Sequence, residues 1–142
     1  MKKNKKAKVV VSGYFNPIHV GHIRMIEAAK KLGDYLIVIL NNDKQVKIKG
    51  SVPFMNQDDR AEIVKAIKWV DEVFISIDKD GSQCESFRRI KPDIFANGGD
   101  RNKGNIPEDV VCKELNIKMI DNVGGEKIRS SSSLIKKAAK KN

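Results

Sequence analysis

Apolar residues follow two alternating rhythms along the chain. Unbroken β-rich runs, first at Lys8–Ser12 (KVVVS) and again at Tyr35–Asn41 (YLIVILN), are too short for helices and suit strands buried on both faces. Between them, Val20–Leu32 places Ile23, Ile26 and Ala29 about one helical turn apart, and Gly33 supplies a left-handed stop. The alternation continues. Asp58–Trp69 reads as a helix, Glu72–Ile77 as a third strand, and Ser82–Ile90 as a helix ended by Pro92. Asp93–Asn97 (DIFAN) is a fourth strand, and Pro107 suits the first turn of a helix running to Leu115. Ile117–Ile120 is a fifth strand, and Ser131–Ala139 a closing helix.

Strands that are apolar throughout and separated by helices imply a parallel sheet covered on both sides. The expected fold is therefore α/β, a doubly wound (Rossmann-like) parallel sheet of about five strands with helices on both faces. Such sheets bind ligands beyond the carboxyl ends of their strands, where the strand order reverses. Chemistry is to be sought in the residues that follow each strand.

Composition narrows the class. The 142 residues fit a single domain, 1–142, and 40% hydrophobic with 32% charged residues is ordinary for a globular protein. No apolar run approaches the roughly 20 residues of a membrane-spanning helix, and Val9–Val11 after the first lysines is too short for a signal peptide. Two cysteines, Cys84 and Cys112, make neither a disulfide framework nor a four-ligand zinc site, which points to a reducing cytoplasm. The net charge of +10 invites a nucleic-acid reading. Nearly all the excess, however, comes from lysines at the two ends: Lys2, Lys3, Lys5, Lys6, Lys8, Lys136, Lys137, Lys140 and Lys141. A nucleic-acid surface is disfavoured, because its footprint is a basic face on the folded domain.

The first strand runs into Gly13-Tyr14-Phe15-Asn16-Pro17-Ile18-His19-Val20-Gly21-His22 and then a helix. The only two histidines of the chain lie three residues apart at that helix start, so their imidazoles share a face. A helix N-terminus favours a phosphate, and two imidazole donors beside it would stabilise charge building on phosphoryl oxygens. Gly13 lets the backbone turn sharply, and Gly21 permits close approach. A structural histidine pair and a zinc pair are the alternatives; zinc lacks Cys, Asp or Glu partners nearby.

This turn resembles the Gly-x-Phe-Asp-x-x-His-x-Gly-His signature of the cytidylyltransferase-like nucleotidyltransferase family, matched by Gly13, Phe15, His19, Gly21 and His22. The resemblance implies that His19 and His22 contact the triphosphate and stabilise the transition state. Asn16 stands where the family usually has Asp, keeping one acceptor but losing the charge. Lys47 and Lys49, in the loop after the second strand, look like the family's phosphate-contacting lysines, or are an exposed basic loop. Arg60, near the start of the next helix, is an acceptor contact or a helix-surface charge. Gly98, Gly99 and Asp100 resemble the Gly-Gly-Asp bordering base and ribose in sugar-phosphate adenylyltransferases; an ordinary turn is the other reading. Arg129, Ser130, Ser131 and Ser132 align with an Ile-Ser-Thr-Thr-like segment that binds the β and γ phosphates, where plain helix capping is the alternative.

The implied activity is transfer of a nucleoside monophosphate from an NTP to a phosphorylated small molecule, with release of pyrophosphate. Catalysis would be positioning plus charge stabilisation, with no covalent enzyme intermediate. Mg²⁺ is expected to come with the NTP, with no dedicated protein metal site. ATP with a sugar phosphate such as heptose 1-phosphate is slightly favoured; glycerol-3-phosphate cytidylyltransferase and FAD synthase activities are the alternatives, as is a non-catalytic nucleotide- or nucleic-acid-binding module. The partners are an NTP and a phosphorylated acceptor, with no membrane, and a homodimer is left open.

Overall fold

The computed structural model describes residues 7–98 and 106–124. Ten elements alternate along it: β1 (Lys8–Gly13), α1 (Val20–Lys30), β2 (Tyr35–Leu40), α2 (Asp43–Ile48), α3 (Gln57–Lys65), β3 (Glu72–Ile75), α4 (Cys84–Ile90), β4 (Ile94–Ala96), α5 (Glu108–Leu115) and β5 (Lys118–Ile120). All four strand pairings are parallel, in the order β3-β2-β1-β4-β5. The expected α/β doubly wound sheet is therefore present. The closing helix expected at 131–139 and the lysine-rich ends lie outside the described residues.

The period of two in the central strands builds two cores. Val9, Val11, Leu36, Val38 and Leu40 turn to the side covered by Ile26 and Ala29 of α1 and Val64 of α3. Val10, Ile37 and Ile39 turn to the other side, against Phe87 of α4 and Val111 and Cys112 of α5. Because both faces are covered, β1 and β2 need apolar residues at every position, and six of the seven residues of Val9–Val11 and Ile37–Leu40 are fully buried, Ile37 being 3% exposed. Among the described residues no helix is long and apolar enough to cross a membrane.

Strand order reverses at β1. The chain moves from β1 through β2 to β3 on one side, then returns to place β4 on β1's other side. The crevice beyond the carboxyl ends of β1 and β4 is thus the switch point at which such sheets bind ligands. The histidine turn leaves β1 here, and Gly98 follows β4 here.

Two local expectations need correction. Gly33 is not a left-handed stop: α1 ends at Lys30 with Lys31 in the right-handed region, and Gly33 makes room for β1, since a Cβ there would meet Val9 Cγ2 at 2.6 Å and Ala7 O at 2.8 Å. The stretch after β2 is a short helix rather than a loop: Lys47 sits in the last turn of α2, Lys49 caps its end, and Gly50 leaves with φ +89°. Asn42 starts it through a reciprocal cap with Gln45, each side chain accepting from the other's backbone N–H.

Candidate active site

Three segments meet at the carboxyl edge of β1 and β2: the turn 13–22, the stretch 41–43 that opens α2, and an arm of residues 49–56 that joins α2 to α3.

In the turn, a Cβ on Gly13 would stand 3.1 Å from the Phe15 ring, so glycine makes room for that ring. Phe15 itself is 1% exposed and has φ +49°, a left-handed conformation that costs a non-glycine residue energy. That backbone places the ring against His22, centroids 4.6 Å apart. The Asn16–Pro17 peptide is cis.

His19 and His22 stack with ring centroids 3.9 Å apart and planes 26° from parallel. Each ring is tied back through Nδ1. His19 Nδ1 accepts from Gly21 N at 3.1 Å, and His22 Nδ1 accepts from His19 N at 3.0 Å. The pair therefore forms the capping box of α1. An Nδ1 that accepts a backbone N–H carries no proton, so each neutral ring holds its proton on Nε2. Two half-buried imidazoles at a helix N-terminus thus carry Nε2–H donors fixed in tautomer and orientation by the backbone. Donors fixed in this way can stabilise negative charge that grows on a phosphoryl group without reorganising.

Arg60 occupies a place that neither sequence reading foresaw. It is 1% exposed, which removes the helix-surface reading. Its guanidinium donates to Tyr14 O (2.7 Å), Asn41 O (2.9 Å), Met55 O (3.1 Å) and Asp43 Oδ1 (2.6 Å). It ties together the histidine turn, the end of β2, the arm and the start of α2. With four of its five N–H groups spent on the protein, the geometry makes it a strut of the site.

Lys47 and Lys49 are both exposed, and Lys49 Nζ lies 4.2 Å from the centroid of the Tyr14 ring, holding that ammonium over the turn. The Tyr14 hydroxyl is pushed above its ordinary pKa, first by burial and then by the Glu108 carboxylate, so it stays a neutral O–H. Asn16 is 4% exposed and bonds to the backbone of the arm. Gly98 is exposed beyond β4; a Cβ there would meet Met25 Sδ of α1 at 2.9 Å, so glycine lets the exit of β4 lie close to α1. The structure thus gathers Gly13, Phe15, Asn16, His19, Gly21, His22, Lys49 and Gly98 at one edge, with Lys47 on the flanking helix. Gly99, Asp100, Arg129, Ser130, Ser131 and Ser132 lie outside the described residues. Tyr14, Asn42, Asp43 and Gln45 were not singled out from the sequence, although Asn-x-x-Gln at 42–45 is a legible capping signal.

Among the described residues no three His, Cys, Asp or Glu side chains gather to hold a metal, and the carboxamide of Asn16 is engaged with backbone. An ion carried in by a triphosphate takes most of its oxygens from phosphate and water. Cys84 does not resemble a nucleophile. Burial pushes its thiol pKa up, and Sγ donates to Pro107 O at 3.6 Å.

The sequence profile of cytidylyltransferase-like proteins matches residues 10–138. The chain belongs to the cytidylyltransferase-like family of nucleotidyltransferases. It is 41% identical over 121 residues to the FAD synthase of Pyrococcus horikoshii, covering 84% of this chain and 76% of that one. The FAD synthase of Thermococcus sibiricus is 42% identical over 126 residues, with 84% and 82% covered. The bifunctional protein HldE of Campylobacter concisus is 37% identical over 137 residues, spanning 95% of this chain but 28% of that larger protein. Among solved structures, the lipopolysaccharide core biosynthesis protein from Thermoplasma volcanium superposes with TM-score 0.72 at 25% identity, covering 88% of this chain and all of the other. In this cytidylyltransferase-like chain the stacked histidines lie within the matched region, on the first helix of the shared fold.

Proposed function

We propose that the protein transfers AMP from ATP to a phosphorylated acceptor, and that the acceptor is FMN, with FAD and pyrophosphate as products. The observation that carries nucleotidyl transfer is the His19–His22 pair. Both Nδ1 atoms are tied to backbone N–H groups, which fixes the proton of each neutral ring on Nε2, at a helix N-terminus beside the switch point. In the reaction, an oxygen of the acceptor's phosphate attacks the α-phosphorus of ATP in line. A new P–O bond forms as the bond to the β-phosphate oxygen breaks, and the electron pair leaves with pyrophosphate. The chain's part is to hold the phosphates with His19, His22, Lys49 and Lys47 and to exclude competing geometries. Arg129 and Ser130–Ser132, together with Gly99 and Asp100, complete the proposed triphosphate and base contacts.

Two observations move the acceptor from the sugar phosphate suggested by Gly98-Gly99-Asp100 towards FMN. Relatives at 41–45% identity are FAD synthases. The arm beside the histidine turn also exposes Val52 (71%) and Phe54 (57%), next to Ile48 (54%) at the end of α2. Such surface suits a flat fused ring with an apolar edge, whereas sugar hydroxyls call for polar partners. The sugar-phosphate reading keeps support from HldE relatives at 34–37% identity. The test is pyrophosphate release with each of the four NTPs against FMN, heptose 1-phosphate and glycerol 3-phosphate, with products identified by mass. FAD from ATP and FMN is the expected product. A nucleotide-sugar or CDP-polyol made faster would overturn the choice of acceptor, and no pyrophosphate with any pair would overturn the transfer itself.

A further inference from the structure

We propose that Asn16 is a positioning residue: its carboxamide fastens the arm of residues 49–56 to the histidine turn, which a carboxylate at the same position cannot do. Asn16 Nδ2 donates to Val52 O at 2.9 Å, and Asn16 Oδ1 accepts from Phe54 N at 2.8 Å. A side-chain amide thus pairs with one C=O and one N–H two residues apart, as a neighbouring β-strand would. An ionised aspartate has two acceptors and no donor. It would keep the bond from Phe54 N and set an anionic oxygen against the Val52 carbonyl. Asparagine therefore makes this position a neutral clasp between two parts of the site.

Hydrogen bonds decide the place of the arm: Ser51 N donates to Val46 O at 3.1 Å, and beyond Ser51 the bonds to Asn16 hold the middle. Residues 51–53 have no regular structure, and Val52 and Phe54 are mostly exposed, so burial contributes little there. The two ends are held by other groups. Lys49 lies over Tyr14, and Arg60 bridges Met55 O to Tyr14 O. Asn16 supplies the middle, and being 4% exposed it does so out of competition with water. Freeing the middle lets Lys49 leave the turn, which weakens capture of phosphorylated substrates while leaving the imidazole donors in place.

The kinetic consequence rests on the adenylyl-transfer reading above; the structural one rests on geometry alone. The experiment compares wild type with Asn16→Asp and Asn16→Ala by timed trypsin cleavage after Lys47 and Lys49, and by steady-state kinetics with ATP and FMN. Loss of the bond to Val52 O alone should speed cleavage about tenfold, the equivalent of one buried hydrogen bond, and loss of both bonds in Asn16→Ala at least as much. KM should rise by about the same factor, with kcat changed less than about threefold. Unchanged cleavage in both variants overturns the proposal, as does a fall in kcat with KM unmoved. Should the buried substitutions unfold the chain, the exposed pair Phe54→Pro and Phe54→Ala decides, because only the proline removes the amide hydrogen. Faster cleavage in Phe54→Pro alone supports the clasp, and equal cleavage in the two overturns it. If wild type makes no product from ATP and any acceptor, the transfer reading fails, and cleavage still decides on Asn16.

Discussion

Helices α1 and α2 both begin where a central strand leaves the sheet, and both open with reciprocal caps, His19 with His22 in one and Asn42 with Gln45 in the other. The amide pair is turned wholly inward. Asn42 Nδ2 donates to Ser76 O and Asp78 O, and Gln45 Nε2 donates to Asp80 O and Ser82 O. Gln45 Oε1 accepts from both Asn41 Nδ2 and Asn42 N. Gln45 is fully buried, and this network fixes the loop that follows β3. The imidazole pair is an unusual choice, since histidine is not among the preferred N-caps, and its Nδ1 atoms serve the backbone. The cap also orients the Nε2–H of each ring. One helix start thus uses amide side chains that reach across to the loop after β3, and the other uses imidazoles whose tautomer the cap fixes. Residues that break a local preference in this way mark functional sites.

That contrast is open to direct attack. The largest effect is expected where the two regions share a residue. Arg60→Met strands Tyr14 O, Asn41 O and Met55 O, and should lower stability by about 3–5 kcal/mol, since each buried group left unpaired costs about 1–3 kcal/mol. Thermal and urea melts would show it; a loss under about 1 kcal/mol would mean that the strut is dispensable.

Next come the histidines. His19→Ala and His22→Ala should each lower kcat about a hundredfold or more, the usual cost of one transition-state donor. The sharper variant is His19→Asn, which keeps an excellent cap and removes Nε2–H. Its melting temperature should match or exceed wild type, while kcat falls as far as in the alanine variant. Retained turnover with a changed melt would reduce the histidines to capping.

The smallest effect belongs to the amide cap. Asn42→Ala should cost about 1–2 kcal/mol of stability and leave kcat within about twofold of wild type. A large loss of turnover in that variant, with the fold intact, would show that the second helix start also serves the ligand.

Much of the site was legible because its signals are local. Gly13, Phe15, His19, Gly21 and His22 lie within ten residues, and their strand-to-helix context follows from a β-rich run giving way to helical spacing. Local pattern reached less far at Arg60. Nothing in the helix around it distinguishes a surface charge from a buried strut, because its four partners lie 5 to 46 residues away. Lys47 and Lys49 were read as loop residues because six residues make a helix too short for hydrophobic periodicity to register, and the Asn42–Gln45 cap is its one local sign.

The amino-acid sequence by itself determined the two-sided strands, the order of elements and the histidine turn, since these depend on the period of apolar positions and on the caps and breakers between them. Tertiary structure alone decided which carbonyls Arg60 would serve, that Asn16 would clasp Val52 and Phe54, and that β4 would pair with β1 to open the crevice. Those choices follow from parallel crossovers, which bring segments distant along the chain to one sheet edge. There a buried donor must find whatever acceptor the packing offers, since leaving it unpaired costs more than the bond itself returns.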